Sequence, residues 1–296
     1  MPNIDLVHKK DITLFRRLAI GTWKTAYDPS VYGTTRLRME RAMEYIDEYR
    51  RNTGLRLTVS HLFGRAMADV LKHMPDANAI LRFNRIYLRK NIGIFFQVTM
   101  RNEETGKFDL SGATLYNVDQ KTLPEIVAEM EAKVEAVRKG TDKALEKGRN
   151  AFRFVPLFLM NFVVKLVAFL GYTLNLDLSW LGIQKDPFGS IMVTNIGALG
   201  LEAAYVPLVP YSRVPLLLAM GAVKEIPLVE DGKIIIGKVM DINVTFDHRI
   251  FEGSHAAIMA NRLKAWMENP VKHFGPVPAP GTAPAPQAPP QEPGPQ

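Results

Sequence analysis

The sequence predicts an α/β fold, because segments with the period of a helix alternate along the chain with segments typical of strands. Its 296 residues are enough for one large domain or for two small ones. Hydrophobic residues make up 47% and charged residues 23% of the chain. Both fractions are ordinary for a globular protein, so we expect a folded protein with a sizeable core.

Four segments show the apolar spacing of amphipathic helices. They are residues 37–51, 60–73, 122–147 and 254–268. The first is expected to end near Gly54 and the second at Pro75. The third begins at Thr122, where a proline in the first turn and a glutamate three residues on are typical of a helix start.

Strand signals fill the intervals between these helices. They cover residues 79–83, 86–88, 92–100, 190–195, 214–223 and 240–246. Asp231-Gly232 separates two further apolar runs, residues 226–229 and 233–236, and predicts a hairpin. Along residues 240–246 the side chains alternate, which predicts one apolar face and one polar face.

The chain carries a formal net charge of +7 and contains no cysteine. The lack of cysteine excludes disulfides, thiolate metal sites and a cysteine nucleophile, and we predict no metal site. The positive charge suits an anionic partner, such as a phosphorylated cofactor or a lipid surface, or else only solubility. Scattered basic residues without a zinc-finger or RNP-like motif do not favour nucleic acid. Residues 1–17 do not resemble a signal peptide, so a cytoplasmic location is expected.

Residues 154–183 form an unusually apolar stretch. Its first part approaches the length of a membrane span but is interrupted by Pro156, Asn161 and Lys165. Three interpretations are open, namely a buried helix or subunit contact, an amphipathic helix at a membrane surface, and a true span. The basic residues that precede the stretch would suit anionic lipid headgroups. They are Arg138, Lys139, Lys143, Lys147, Arg149 and Arg153.

The last residues of the chain, 275–296, are dominated by proline, alanine, glycine and glutamine. Such a composition cannot bury enough apolar surface to offset the entropy of ordering. We therefore predict a disordered tail that leans towards polyproline conformation.

Polar residues concentrate in Asp247-His-Arg-Ile-Phe-Glu-Gly253, between the last predicted strand and the last predicted helix. Rigid elements on both sides of such a junction can hold catalytic groups in place. His248 is the one histidine among such neighbours. By itself it is compatible with a structural role as well as a catalytic one.

This motif resembles the DHRxxDG signature of the acyltransferase component of 2-oxoacid dehydrogenase complexes, and the HxxxDG pattern that chloramphenicol acetyltransferase shares. The run from Gly189 to Gly197 is similar to that family's GTFTxSNLG segment, and residues 217–223 with the Asp231-Gly232 hairpin are similar to its ILGVG…DG stretch. Further similar segments are Arg16-Arg17 and residues 57–63, 75–79 and 262–270. The resemblance covers roughly residues 10–273.

The resemblance implies a chloramphenicol acetyltransferase-like α+β sandwich of two layers, in which helices pack on one face of a mixed sheet. The catalytic domain would occupy residues 1–274, with an apolar insertion at about 154–183, and the tail would occupy residues 275–296. The implied reaction moves an acyl group between the thiols of coenzyme A and dihydrolipoamide.

The resemblance also implies roles for individual residues. A thiol is a poor nucleophile until it loses its proton, and His248 would remove that proton as general base. Thr194 stands where the family has a hydroxyl that donates to the oxyanion, an interaction worth about 3 kcal/mol elsewhere. The alternative for Thr194 is a β-branched residue packed in a strand. Asn195 and Gly197 are expected to form a turn.

Two features depart from the family pattern. Glu252 replaces the aspartate that normally precedes Gly253, and that carboxylate would pair with Arg16 or Arg17. Asp247, Asn195 and Gly253 are expected to support the site around it. No lipoyl or subunit-binding domain precedes the catalytic region, so a lipoyl group is expected only on a separate chain.

The expected partners are therefore acyl-CoA and, as acceptor, a lipoyl-bearing protein, a small alcohol or an amine. The family is built from trimers with active sites between subunits, which implies a homotrimer or a higher assembly. The alternative is a catalytically weak or inactive scaffold that keeps the trimeric fold for assembly, or for membrane attachment through residues 154–183. A third hypothesis is acyl transfer to a lipid-like acceptor at a membrane.

Overall fold

The computed structural model describes residues 2–10, 29–101, 108–139 and 155–281. Over these residues the strands are β1 (Leu6–His8), β2 (Ser30–Arg38), β3 (Ala79–Arg82), β4 (Arg85–Arg89), β5 (Gly93–Arg101), β6 (Phe108–Tyr116), β7 (Ile191–Asn195), β8 (Leu216–Met220), β9 (Lys224–Glu230) and β10 (Lys233–Asp247). The helices are α1 (Glu40–Thr53), α2 (Val59–His73), α3 (Leu123–Arg138), α4 (Leu157–Ala168), α5 (Gly253–Glu268) and α6 (Pro270–Phe274).

Seven strands form the main sheet, in the order β2-β10-β8-β7-β5-β6, with β9 paired to the first half of β10. β7 runs parallel to both β5 and β8, whereas the other neighbours are antiparallel. This confirms the predicted mixed sheet. A second, antiparallel sheet of three strands has the order β1-β4-β3.

The core lies between one face of the main sheet and the helices α1, α2, α3 and α5. Met240, Ile242 and Phe246 project from β10 into this core, as their alternation predicted. The helices therefore cover one face of the sheet, which confirms the predicted two-layer arrangement. Burial of these apolar side chains is the main stabilising contribution, at about 25 cal/mol per Å² removed from water.

One predicted helix start, one predicted hairpin and one predicted helix end can be compared with the structure. The first helix begins at Glu40 and not at residue 37, because Leu37 belongs to β2 and pairs with Met240. β2 itself was not predicted. The hairpin is confirmed, and Asp231 and Gly232 both have the positive φ that a two-residue turn of this type requires. The predicted helix 122–147 reaches Arg138, and its last residues lie outside the described part.

The apolar insertion begins, in the described residues, with α4 and continues through a π-helical turn, Phe169–Thr173. Ala168 and Tyr172 pack against Ile4 and Ile80 in a second, smaller core. Asn175 holds the chain's beginning in place, since its amide accepts from the Ile4 N–H at 2.7 Å and donates to the Ile4 carbonyl at 2.6 Å. Among the described residues, no helix combines the length and the apolar character needed to cross a membrane.

The first part of the predicted tail packs on the body of the protein. Asn52 at the end of α1 donates to the carbonyl of Pro278 at 2.8 Å, and its own carbonyl accepts from Gly281 at 3.1 Å. Val277 contacts the main core. Residues 275–281 are therefore ordered against α1, and the predicted disorder is wrong for this part of the tail. The hydrogen bonds and the apolar contact offset the conformational entropy that is lost on ordering. Residues 282–296 lie outside the described part of the chain.

His61 links the stability of α2 to pH. Its Nδ1 accepts from the backbone N–H of Thr58 at 3.1 Å and so completes a capping box, which requires an unprotonated nitrogen. Burial, with the nearby Arg50 and Arg56, lowers the pKa of His61 to about 4.

We therefore expect the free energy of unfolding to fall as the pH is lowered from the unfolded-state pKa of about 6.5 towards 4. Over this range His61 becomes protonated in the unfolded chain but stays neutral in the folded protein. The loss should be roughly 3 kcal/mol at most. His61→Gln keeps a capping box and should flatten this part of the pH profile in urea unfolding. An unchanged profile would contradict the assignment.

Candidate active site

The turn that carries His248 is held by backbone hydrogen bonds on two sides. The N–H of Asp247 donates to the carbonyl of Pro215 at 2.9 Å, and that of His248 donates to the carbonyl of Pro29 at 2.7 Å. The Asp247 carbonyl then accepts from both Ile250 and Phe251. His248 is thus fixed at the point where β10 ends.

A hydrogen bond to the backbone orients the ring of His248. Its Nδ1 lies 2.7 Å from the carbonyl oxygen of Phe251. A carbonyl oxygen can only accept, so Nδ1 carries the hydrogen, and in the neutral ring Nε2 is the nitrogen that bears the lone pair. The half-buried side chain therefore has the tautomer that a general base needs.

Asp247 and Arg249 form a buried ion pair beside the ring. Arg249 donates from Nη2 to Oδ2 of Asp247 at 2.6 Å and from Nε to Oδ1 at 2.9 Å, and both residues are only 5% exposed. The backbone N–H of Arg249 also donates to Oδ1 of Asp247, at 2.9 Å. Because these residues flank His248 in the chain, the pair limits movement of the backbone that carries the ring.

Glu252 occupies the N-cap of α5, and Gly253 is the first residue of that helix. The backbone N–H of Glu252 donates to Nδ1 of His255 at 3.3 Å, within a capping box. A carboxylate at this end is favoured by the helix dipole. The predicted partners of Glu252, Arg16 and Arg17, lie outside the described residues.

Thr194 lies on β7, where it is half-buried and pairs with Ala219 of β8. Asn195 caps the following turn, Gly197–Leu199, through a bond of 3.0 Å from the Ala198 N–H to its Oδ1. A Cβ at Gly197 would stand 2.5 Å from the carbonyl oxygen of Gly221, so a side chain there would collide with backbone. The segment after Thr194 is therefore held by local bonds and by close backbone packing.

The strand register separates Thr194 from His248 within one chain. Thr194 aligns with Ala219, and Ala219 aligns with Asn243 of β10. His248 follows five residues after Asn243. With about 4.8 Å between strands and about 3.4 Å per residue, the two candidates lie about 10 Å apart across the sheet and about 17 Å apart along it. One copy of the chain thus brings together Asp247, His248, Arg249 and Glu252 but not Thr194.

The face of the sheet away from the helices carries a polar row that the sequence analysis did not single out. Thr34 of β2 donates to Oδ1 of Asn243 at 3.0 Å, and its hydroxyl lies 2.6 Å from the hydroxyl of Tyr205. Among the described residues, Nδ2 of Asn243 and Oγ1 of Thr245 are buried without a hydrogen-bond partner. The sequence signal for this row was the polar side of the alternation along β10, because a sheet face covered by another layer would carry apolar side chains there.

An apolar cavity of about 260 Å³ lies behind the turn, between the sheet and α5. Phe246 and Phe251 line it from either side of the motif, and Ala256 and Ala260 line it from the helix. Neither His248 nor Thr194 reaches it. The cavity therefore belongs to the hydrophobic layer and is not the place where a proton is transferred.

The Asp247–Arg249 pair can be tested against a surface pair of the same kind. Asp247→Asn takes the negative charge of Asp247 away from the buried Arg249 cation, and we expect it to lower the free energy of unfolding by about 3 kcal/mol or more. Asp241→Asn is the matched control, because Asp241 pairs with the half-exposed Arg36 and should matter by less than about 1 kcal/mol. Urea unfolding compares the two variants, and equal losses would show that burial of the pair is unimportant.

Comparison with protein families matches residues 15–150 and 186–274 to the family described as 2-oxoacid dehydrogenases acyltransferase (catalytic domain). The interval between the matched segments, residues 151–185, contains the apolar insertion. The match therefore includes the segment with Thr194, the motif around His248 and the N-terminal arginines.

Two curated relatives illustrate the extent of similarity. The chain is 32% identical over 85 residues to the lipoamide acyltransferase component of the branched-chain alpha-keto acid dehydrogenase complex of Pseudomonas putida, which is 29% of this chain and 20% of that protein. It is 20% identical over 217 residues to the dihydrolipoyllysine-residue acetyltransferase component of the acetoin cleaving system of Bacillus subtilis, covering 73% and 43% of the two chains. The chain thus spans less than half the length of these relatives.

Solved structures share the fold. A probable dihydrolipoamide acetyltransferase from Listeria monocytogenes superposes with a TM-score of 0.60 at 17% identity, over 88% of this chain and 94% of that one. The cubic core of the pyruvate dehydrogenase multienzyme complex gives 0.62 at 20% identity, over 90% and 94%. A chloramphenicol acetyltransferase gives 0.51 at 12% identity, over 89% and 100%. At these identities the likeness concerns the fold, and it confirms the predicted architecture.

Proposed function

Since this chain belongs to the family of 2-oxoacid dehydrogenase acyltransferase catalytic domains, we propose that it transfers an acyl group between coenzyme A and a dihydrolipoyl thiol or another small acceptor. The observation that carries the proposal is the orientation of His248, whose Nδ1 is bound to the Phe251 carbonyl so that, in the neutral ring, Nε2 bears the lone pair. The dihydrolipoyl group would be presented by a lipoyl domain.

The chemistry assigns one proton transfer to His248. Its Nε2 removes the proton of the attacking thiol, and the thiolate adds to the carbonyl carbon of the thioester. The tetrahedral intermediate then collapses, the carbon–sulfur bond to the original thiol breaks, and the departing sulfur takes the proton back from His248. Asp247 and Arg249 are positioning residues, since they hold the backbone on either side of the base.

Thr194 would donate its hydroxyl to the oxyanion of that intermediate. Because the register places it about 20 Å from His248 in one chain, the two residues can serve one substrate only if they come from different copies. This supports a homotrimer, or a higher assembly of trimers, with the site between subunits. The cytoplasmic location and the lack of a nucleic-acid partner stay predictions.

The His248 turn favours an enzyme over the alternative of an inactive scaffold. His248→Ala should lower the turnover of acyl-CoA with dihydrolipoamide by at least about a hundredfold, because general-base catalysis typically contributes a hundredfold to ten-thousandfold. Release of free thiol measures the rate. His73→Ala, at an exposed histidine on α2, is the matched control and should keep the wild-type rate.

Absence of turnover in the wild-type protein, across several acyl chain lengths and acceptors, would contradict the proposed function and return attention to the scaffold. A wild-type rate in His248→Ala would contradict the role of the base while leaving the activity in place.

The site between subunits predicts complementation of two inactive variants. Thr194→Ala should lose about a hundredfold in kcat, and Thr194→Ser should keep most of it. When Thr194→Ala and His248→Ala chains are co-expressed, a random mixture of trimers should recover about one quarter of the wild-type activity. That is the fraction of sites in which both neighbours supply their intact residue.

Mixing the two purified variants without exchange of subunits serves as the control and should recover nothing. Failure of the co-expressed chains to recover activity, in trimers shown to contain both variants, would contradict a site built from two copies.

A further inference from the structure

α4 exposes one apolar side to solvent. Phe158, Phe162, Leu166 and Phe169 follow one another at intervals of four, four and three residues, which places them on one face of the helix. All four are exposed. The insertion therefore presents a stripe of large apolar side chains rather than burying them.

The opposite side of α4 is anchored to the protein. Ala168 is buried with Tyr172 against Ile4 and Ile80, in the second core. Met160, Val163, Val164 and Val167 are at least half covered. The exposed stripe is thus the outer side of a docked helix whose orientation on the body is set.

Further exposed apolar side chains follow α4 in the chain. The backbone N–H of Leu174 donates to Phe169 at 2.9 Å and that of Leu176 donates to Leu170 at 3.0 Å, so the chain folds back against the end of the helix. Trp180 stands on the next turn, Ser179–Leu181. We call the exposed set the apolar ridge; it comprises Phe158, Phe162, Leu166, Phe169, Leu174, Leu176 and Trp180. A soluble monomer rarely exposes so much apolar surface without an interaction partner.

Positive side chains outnumber negative ones in the insertion and in the sequence before it, of which residues 140–154 lie outside the described part of the chain. Residues 155–185 contain only Lys165, Asp177 and Lys185 as charged side chains. Lys165 is exposed, and the helical period places it at one edge of the stripe formed by Phe158, Phe162, Leu166 and Phe169. In the sequence just before, residues 138–153 carry six lysines and arginines against two acidic residues. Clustered basic residues next to an apolar face attract anionic headgroups, at about 1 kcal/mol per cation near the surface.

The length of α4 restricts how it could meet a bilayer. Its 12 residues span about 18 Å, whereas the hydrocarbon core of a bilayer is about 30 Å thick. The helix can therefore lie in the interface but cannot cross it. Phenylalanine and tryptophan are the side chains that favour this interfacial depth, and a long lysine side chain can keep its charge at the headgroups.

We propose that the apolar ridge docks the protein on the surface of an anionic phospholipid bilayer. α4 lies along the interface, with Phe158, Phe162 and Trp180 at the boundary between headgroups and acyl chains and with Lys165 beside the phosphates. The inference does not depend on acyl transfer.

The test is sedimentation of the full chain with phosphatidylcholine vesicles, with and without phosphatidylglycerol. Phe158, Phe162 and Trp180 are 83%, 65% and 76% exposed, so their joint replacement by serine should leave the fold intact. We expect the affinity of this variant for anionic vesicles to be lower by more than about tenfold. Removing even one large apolar side chain from the interface should lower the affinity about tenfold.

The β9–β10 hairpin offers a matched control. Val229, Ile234 and Ile236 are 74%, 78% and 77% exposed, and their joint replacement by serine removes a similar amount of apolar surface at another place. This variant should bind vesicles like the wild-type protein. An equal loss of vesicle binding in both triple variants would overturn the proposal, since binding would then depend on exposed apolar surface in general and not on the ridge.

Lys165→Gln gives a second readout that leaves the apolar side chains in place. It should weaken binding to anionic vesicles about fivefold, the value of one cation near the surface, and should not change binding to phosphatidylcholine alone. If the wild-type protein binds neither vesicle, the proposal is wrong. In that case, a drop in assembly mass of the ridge variant by light scattering would identify the ridge as a contact between copies.

Discussion

The hydrogen-bond ladders along β10 hold the part of the molecule on which the candidate site depends. β10 pairs with β2 from Val239 to Asp247 on one edge and with β8 from Ile242 to Phe246 on the other. A strand bonded on both edges cannot slip by one residue without turning its apolar face out of the core. The bonds from Asp247 and His248 to the neighbouring prolines continue the ladders into the turn. The imidazole is therefore placed by the sheet, and the buried Asp247–Arg249 pair stiffens that placement locally.

The same ladders keep the second candidate residue at a distance. Thr194 is tied through Ala219 to the middle of β10, whereas His248 stands beyond its end. No rotation of side chains can close such a separation. The sheet consequently presents the imidazole of His248 at one place and the hydroxyl of Thr194 at another, and under the proposed function a second copy of the chain would have to join them. The polar row of Thr34 and Asn243 marks a face of the sheet that is built for polar contacts and not for another layer of helices.

The insertion is organised separately from this site. It rests on the small sheet through Ala168 and Tyr172 and is tied to the start of the chain by Asn175. Since it occupies the interval that the family match omits, it adds a surface to the fold without replacing any strand of the main sheet. The proposed active site and the proposed membrane-docking surface rest on different hydrophobic cores, so a substitution in one need not disturb the other.

The sequence by itself determined the elements whose signals are local: the α2 helix, the Asp231-Gly232 hairpin, the alternation of β10 and the motif around His248. It missed β1, β2 and β6. β2 carries exposed tyrosine, threonine and arginine on one side, so its strand character depends on pairing with a segment two hundred residues away. Tertiary structure alone decided that Thr194 and His248 lie apart and that one side of α4 is uncovered. Both facts depend on register and packing between distant segments, and neither leaves a local pattern in the chain.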